Sequence, residues 1–464
     1  MLEWKHLLNK DRLRKSTVSG DPREEFERDY DRSVFSTPVK RLQDKTQVFP
    51  LETHDAVRTR LTHSLEVCSL ARGLTTSACK WLRAEAEIEP GVERQIEAIA
   101  ATCGLIHDLG NPPFGHAGER AIRGWFEKKF ERTKGENGKT EDPLGSILEE
   151  NDQLIQDFRN FEGNAQTLRL VSKLQILADF YGLNLTFGTL SAASKYIVPS
   201  NGINKAAGHA KSKPGYFASE NDLVQRIREE TGTGAARNPI TFLVEAADDI
   251  VYSVADLEDG IKKGVITWSY LEEQLHANDG EGVVNGTHRI LKAATGTIPD
   301  NLHDDIYGTA FRSAAIAKLA SDAVETFTTK YQDIMNGSYF GELVSDGSGK
   351  HLIDCLQSIG TSKVYRTPST LKLELMGRKI ISDLMDIFWE GARHVGDDGS
   401  YDPRTFDGKV VALISENYRR VFCNSISTRK DLPEAYHRLQ LVTDYVCGMT
   451  DSFARDLHSE LFNG

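Results

Sequence analysis

Arg58-Thr-Arg-Leu-Thr-His63 and His107-Asp108-Leu-Gly-Asn-Pro-Pro-Phe-Gly-His116-Ala-Gly-Glu119 decide how this chain is read. Ile96, Ile99, Cys103 and Ile106 recur every three or four residues, the period of an amphipathic helix. His107 and Asp108 follow at its C-terminal end, and Gly110, Pro112 and Pro113 stop it. Leu61, Leu65 and Cys68 mark a second stripe, which puts His63 near the start of an earlier helix. An adjacent His-Asp pair, a second His upstream and an acidic helix downstream can surround one divalent metal. Imidazole suits transition metals and carboxylate suits harder ions, so Mn, Mg, Fe, Ni and Co all fit such a mixed set. Three or four protein ligands leave an open position, as a catalytic metal requires.

The acidic helix is expected at Val244-Glu-Ala-Ala-Asp248-Asp249-Ile-Val-Tyr252-Ser-Val-Ala-Asp256. Val244, Ala247, Val251 and Val254 form its apolar stripe, and Asp248, Tyr252 and Asp256 lie four apart on one face. Carboxylates in mid-helix beside such a stripe are costly to bury unless a cation compensates. The spacing alone leaves Asp248 and Asp249 both open as ligands.

Taken with Arg41-Leu-Gln43 and Lys45-Thr-Gln47-Val-Phe-Pro-Leu51, these motifs closely resemble those of bacterial deoxyguanosine triphosphate triphosphohydrolases of the HD-domain superfamily. The resemblance runs from about Lys40 to Val364-Tyr-Arg366. It implies an all-α fold with at most minor β-hairpins and one catalytic divalent metal, Mn or Mg first. It also implies hydrolysis of dGTP, or of other dNTPs, to deoxynucleoside plus intact triphosphate, which would control the dNTP pool. The metal ligands it implies are His63, His107, Asp108 and Asp248, the family ligand being the first Asp after Ala-Ala. His116 and Glu119 match the catalytic pair. Tyr252 and Asp256 match the residues that meet the deoxyribose, the ring excluding a 2′-hydroxyl and the carboxylate accepting from the 3′-OH. Gln47 matches a glutamine near sugar and base. Arg60, Lys195, Tyr196 and Lys213 match contacts to the triphosphate. A homo-oligomer, a hexamer built from dimers, is implied as well, with single-stranded DNA or a deoxynucleotide as effector.

Composition is that of an ordinary soluble protein: 464 residues, 39% hydrophobic and 27% charged. The net charge of −12 argues against a surface that coats nucleic acid but leaves room for a local basic pocket. Cysteines at 68, 79, 103, 355, 423 and 447 show no Cys-x-x-Cys pairing, which fits a reduced, cytoplasmic setting. The polar start Met1-Leu-Glu-Trp-Lys-His has no apolar signal core, and no stretch approaches the roughly 18 apolar residues of a membrane span. There is no Gly-x-x-x-x-Gly-Lys-Ser/Thr loop, which disfavours a P-loop nucleotidase.

Three regions are expected: a charged arm with a solvated helix over 1–35, a catalytic core over 36–265, and a helical region over 266–464 that completes the core and the oligomer interface. Residues 131–143 read as a mobile loop and 200–216 as a loop beside the phosphates. Ala314, Ala315, Ala317, Leu319 and Ala323, then Leu371, Leu375, Ile380, Leu384, Phe388 and Trp389, mark further helices. The alternative function is another HD-superfamily phosphohydrolase acting on nucleoside monophosphates or cyclic nucleotides. It would share the metal ligands but give no reason for Tyr252, Asp256 and the basic residues.

Overall fold

A computed structural model describes residues 1–15, 20–49, 57–131, 152–175, 179–277 and 303–462, with short pieces at 133–134, 140–141 and 148. The fold is mainly helical, as expected. The helices that frame the site are α1 (Glu25–Val34), α2 (Arg60–Ala84), α3 (Val92–Ile106), α4 (Gly115–Phe130), α5 (Gly163–Arg169), α6 (Pro239–Lys262), α7 (Asp304–Thr329), α8 (Pro368–Ala392) and α9 (Glu434–Cys447). Among the described residues, strand is confined to two short pairs. β1 (Thr133–Lys134) and β2 (Thr140–Glu141) form an antiparallel hairpin, while β3 (Val198–Pro199) and β4 (Pro214–Tyr216) pair in parallel.

The helices start where the local chemistry dictates. Thr59 accepts a hydrogen bond from the Thr62 amide and opens α2, which places His63 in its first turns. Asn238 caps α6 ahead of Pro239, whose fixed φ and missing N–H suit the first helical position. Phe114 and Gly115 both take left-handed conformations, turning the chain sharply between the His-Asp pair and α4.

α2, α3, α6 and α7 pack together around one apolar cluster, which contains Ile96, Ile99, Cys103, Ala247, Val251, Val254, Ala315, Leu319 and Ala323. A second cluster joins α4 and α5 to α8 and α9, through Phe126, Leu168, Ile381, Leu384, Phe388 and Tyr436. Each fully buried large apolar side chain contributes about 1.5–3 kcal/mol. The site lies where these two clusters meet.

Two expectations change. Leu65 is 46% exposed; α2 buries Val67, Ala71 and Leu74 instead. The charged run at 23–32 is not solvated throughout: in α1, Phe26 and Asp29 are fully buried, Asp29 pairs with buried Arg12, and its other oxygen accepts from Thr186 and Thr189. Upstream, Trp4 donates its indole N–H to Tyr331. In α8, Ile380, Leu384, Phe388 and Trp389 are buried, but Leu371 and Leu375 stay exposed. The loop at 131–143 lies almost wholly outside the described residues, whereas 200–216 carries a succession of 3₁₀ turns leading into β4. No described helix is long and apolar enough to cross a membrane.

Candidate active site

Three helices deliver the central side chains. His63 comes from α2, His107 from the C-terminal end of α3, and Asp248 from the middle of α6. Arg58 locks the entry of α2 onto α6, reaching Glu258 Oε2 at 2.6 Å and Asp259 Oδ1 at 2.5 Å. Gly110 lets the turn after His107 sit directly on α5. A Cβ there would fall 2.2 Å from the Gly163 carbonyl oxygen and 2.3 Å from the Thr167 nitrogen.

His63 Nε2 lies 3.2 Å from Asp248 Oδ1, and His107 Nε2 lies 3.5 Å from the same oxygen. His107 Nε2 is also 3.5 Å from Asp108 Oδ2, while Asp108 Oδ1 accepts from Asn111 at 2.7 Å. One donor atom from each of His63, His107 and Asp248 falls within 4.8 Å of the others, a spacing one ion can span. His107 Nδ1 sits 2.7 Å from the Gly104 carbonyl, which can only accept. In the neutral ring that binds a metal the proton therefore belongs on Nδ1, which leaves the Nε2 lone pair for the ion. His107 Nε2 is buried and has no aligned hydrogen-bond partner among the described residues, as a ligand atom would be. This donor set fits a divalent cation.

Electrostatics agree. Burial pulls the His107 pKa down, but Asp108 and Asp248 overcome it and push it up to about 9. Burial raises the Asp248 carboxyl, yet His107, His63 and Lys195 hold it well below the usual range. Burial likewise raises Asp108, and Arg60 and His107 lower it. Asp249 behaves differently. Burial and the neighbouring Glu245, Asp248 and Glu342 drive it well above the usual carboxylate range, and it does not join the His63–His107 group.

The other expected residues fall into linked groups. Arg60 pairs with Asp108 and donates from Nε to the Thr46 carbonyl at 2.9 Å. Lys195 lies 3.7 Å from both Asp248 and Glu245. Lys213 lies 3.4 Å from Glu162 and 5.6 Å from the centroid of buried Tyr196. His116 Nδ1 is 3.1 Å from Glu119 Oε2. Glu119 Oε1 in turn accepts from the Gly163 amide, so a buried carboxylate holds a largely exposed ring. Tyr252 stacks on Tyr365 with centroids 5.9 Å apart, and the Tyr365 hydroxyl donates to Asp256 at 2.6 Å. Asp256 Oδ1 and Gln47 Oε1 are both buried without a hydrogen-bond partner among the described residues.

Sequence reasoning missed Tyr365, Glu162, Glu245 and Asn164. A cavity lined by His107, Asp108, Asn164, Lys195, Glu245 and Asp248 holds four of the expected residues beside Asn164 and Glu245. Glu245 carried a signal, since it precedes Asp248 by three positions and shares its helix face. Tyr365 stands in the matched stretch Val364-Tyr-Arg366, but its contact with Asp256, 109 residues away, had no sequence signal.

Fold and site define a helical protein with a buried His-His-Asp centre beside a lysine-bearing loop. Comparison with known proteins makes the class specific. The chain is 37% identical to the deoxyguanosinetriphosphate triphosphohydrolase-like protein of Listeria monocytogenes, across 99% of each chain. It is 32% identical to the deoxyguanosinetriphosphate triphosphohydrolase of Yersinia enterocolitica, over 94% of this chain and 93% of that one. With that of Cronobacter sakazakii it shares 31% identity over the same fractions. No family model matches. The chain belongs to the deoxyguanosinetriphosphate triphosphohydrolase family and is an enzyme.

Proposed function

We propose that this enzyme hydrolyses dGTP to deoxyguanosine and intact triphosphate, with one divalent metal held by His63, His107, Asp108 and Asp248. The observation that carries this reading is the convergence of His63, His107 and Asp248 from three helices. When bound, the metal supplies Lewis-acid polarisation of the phosphate under attack. His116 holds or moves a proton, at the attacking water or at the departing 5′-oxygen, and Glu119 orients its ring through Nδ1. Lys195 and Lys213 offset charge on the leaving triphosphate, with Arg60 and Tyr196 beside it. Tyr252, braced by Tyr365, walls the sugar, and Asp256 accepts from the 3′-OH with Gln47 near the base.

We infer further that Mn or Mg is the working ion and that the chain acts in the cytoplasm. The reading includes a charged lead-in over 1–35, a catalytic core over 36–265 and a helical remainder. It also includes a homo-oligomer, a hexamer first, responsive to single-stranded DNA or a deoxynucleotide. Exposed Leu371 and Leu375 support such an assembly.

The test is incubation with each dNTP and Mn or Mg, with products resolved by ion exchange. Intact triphosphate is expected. Orthophosphate or pyrophosphate as the first product would overturn the reading.

A further inference from the structure

The loop that links Lys195–Tyr196 to Lys213 has one side chain at its centre that touches two other parts of the fold. His209 Nε2 lies 3.2 Å from Glu245 Oε1 on α6, one turn before Asp248. His209 Nδ1 lies 3.2 Å from Glu342 Oε1, in the segment that follows helix Tyr331–Met335. The same segment braces the loop backbone. The His209 amide donates to the Phe340 carbonyl at 2.9 Å, and the Lys211 ammonium sits 4.3 Å from the Phe340 ring centroid. Gly208, at φ +106°, packs so tightly that a Cβ would meet Phe340 Cβ at 2.6 Å. The His209 ring also lies 5.6 Å from the ring of Tyr196.

His209, Glu245 and Glu342 have the spacing of a second cation site. The surrounding charge argues otherwise. Arg237 Nη2 is 2.5 Å from Glu245 Oε2, and Lys195 Nζ is 3.7 Å from Oε1, so two fixed cations already answer this carboxylate. The Glu245 contact to His209 lacks hydrogen-bond alignment, and neither of the two buried atoms has a hydrogen-bond partner among the described residues.

We propose that His209 is a positioning residue for triphosphate binding: bridging Glu245 and Glu342, it holds the 195–213 loop on α6 so that Lys195, Tyr196 and Lys213 meet the phosphates. The proposal rests on the function proposed above. It assigns His209 no part in bond making. Its loss slackens the loop and leaves the metal ligands in place. The effect therefore falls on binding of the polyphosphate and not on the sugar or the chemical step.

The test uses the full-length, metal-loaded enzyme and two probes, inorganic tripolyphosphate and deoxyguanosine, as inhibitors of dGTP hydrolysis. In His209→Ala, KM for dGTP and Ki for tripolyphosphate should rise together by about ten-fold, a 1.4 kcal/mol change. kcat, metal content and Ki for deoxyguanosine should stay within about two-fold, well under 1 kcal/mol. His209→Gln, which keeps an amide donor for one of the two carboxylates, should recover part of the loss. Glu342→Gln changes a part-exposed partner without removing bulk, and should shift both constants the same way by a smaller factor. Unchanged tripolyphosphate binding in both His209→Ala and Glu342→Gln would overturn the proposal. So would a loss that appears equally in deoxyguanosine binding, or two metals per wild-type chain falling to one in His209→Ala. A wild-type enzyme that releases no triphosphate would instead sink the underlying function, so the two failures can be told apart.

Discussion

Loading metal into the stripped enzyme should release about one proton at pH 7, and His107 should be its source. Without metal, burial lowers the His107 pKa, but Asp108 and Asp248 raise it more, from the ordinary 6.5 to about 9. At pH 7 the ring is then two units below its midpoint, and only about 1% is neutral. A ligand nitrogen must be unprotonated, so this proton opposes binding by roughly 3 kcal/mol. Apparent metal affinity should therefore climb about ten-fold per pH unit between pH 7 and 9 and then flatten. An unperturbed histidine would already have flattened near pH 6.5. The linkage also has a sign for stability. A raised histidine pKa stabilises the metal-free fold fully below pH 6.5, and this is lost as pH rises towards 9. The melting temperature of stripped protein should fall across that window more than that of metal-loaded protein. Mn titration calorimetry at pH 7, in two buffers of different ionisation heat, counts the protons directly. Fewer than about 0.3 protons released, with a flat affinity between pH 7 and 8.5, would refute the argument, because the carboxylates would not be holding a charged His107.

Asp248→Ala should abolish metal retention, as should His63→Ala, whereas Asp249→Asn should keep it; elemental analysis after gel filtration decides, and metal loss in Asp249→Asn alone would reassign the carboxylate. His116→Ala should keep its metal and lose on the order of 10²–10⁴-fold in kcat, so a near-wild-type kcat would remove His116 from the chemistry. Tyr252→Ala should raise kcat/KM for GTP relative to dGTP, and an unchanged ratio would place sugar selection elsewhere, with Gln47 next in line. Tyr365→Phe strips the buried Asp256 carboxyl of its one aligned hydrogen bond among the described residues, and leaving a buried acceptor without its partner costs about 1–3 kcal/mol. KM for dGTP should rise about ten-fold or more in that variant, the equivalent of 1.4 kcal/mol per decade. KM for 2′,3′-dideoxyGTP should barely move, and an equal rise for both substrates would detach Asp256 from the 3′-OH.

The parts of this protein legible in the sequence are those set by local periodicity. The α3 stripe Ile96, Ile99, Cys103 and Ile106 is buried as its spacing required, and His107 falls at the end of the helix. The same holds for Val244, Ala247, Val251 and Val254 on α6. Tertiary packing set the rest. The charged run at 23–32 looked solvated because most of its residues are ionic. Its Arg28 and Asp29 are nevertheless buried, Asp29 answered by Arg12 and by two threonine hydroxyls more than 150 residues away. Leu65 looked like core because it fits a helical period, but α2 turns a neighbouring face inward. Composition and period cannot anticipate a partner supplied by a distant element.

The same limit explains which site residues were found. His63, His107, Asp108 and Asp248 stand in short motifs whose chemistry is visible one segment at a time. Glu245, Glu162, Tyr365 and His209 act through contacts between segments: Glu245 to Arg237 and His209, Glu162 to Arg123 and Lys213, Tyr365 to Asp256. These residues do not themselves supply the reactive groups. They fix the rotamers and loop positions of the residues that do, and small errors in such positioning are costly in rate. A substitution among them should therefore change affinity or positioning while the metal remains bound. A substitution among the motif residues His63, His107 and Asp248 removes the metal with the activity. Metal content measured beside KM and kcat for one member of each set, Tyr365→Phe and Asp248→Ala, separates the two kinds of residue. If Tyr365→Phe also lost its metal, the sugar wall and the metal centre would be one structural unit, and the division drawn between motif and supporting residues would fail.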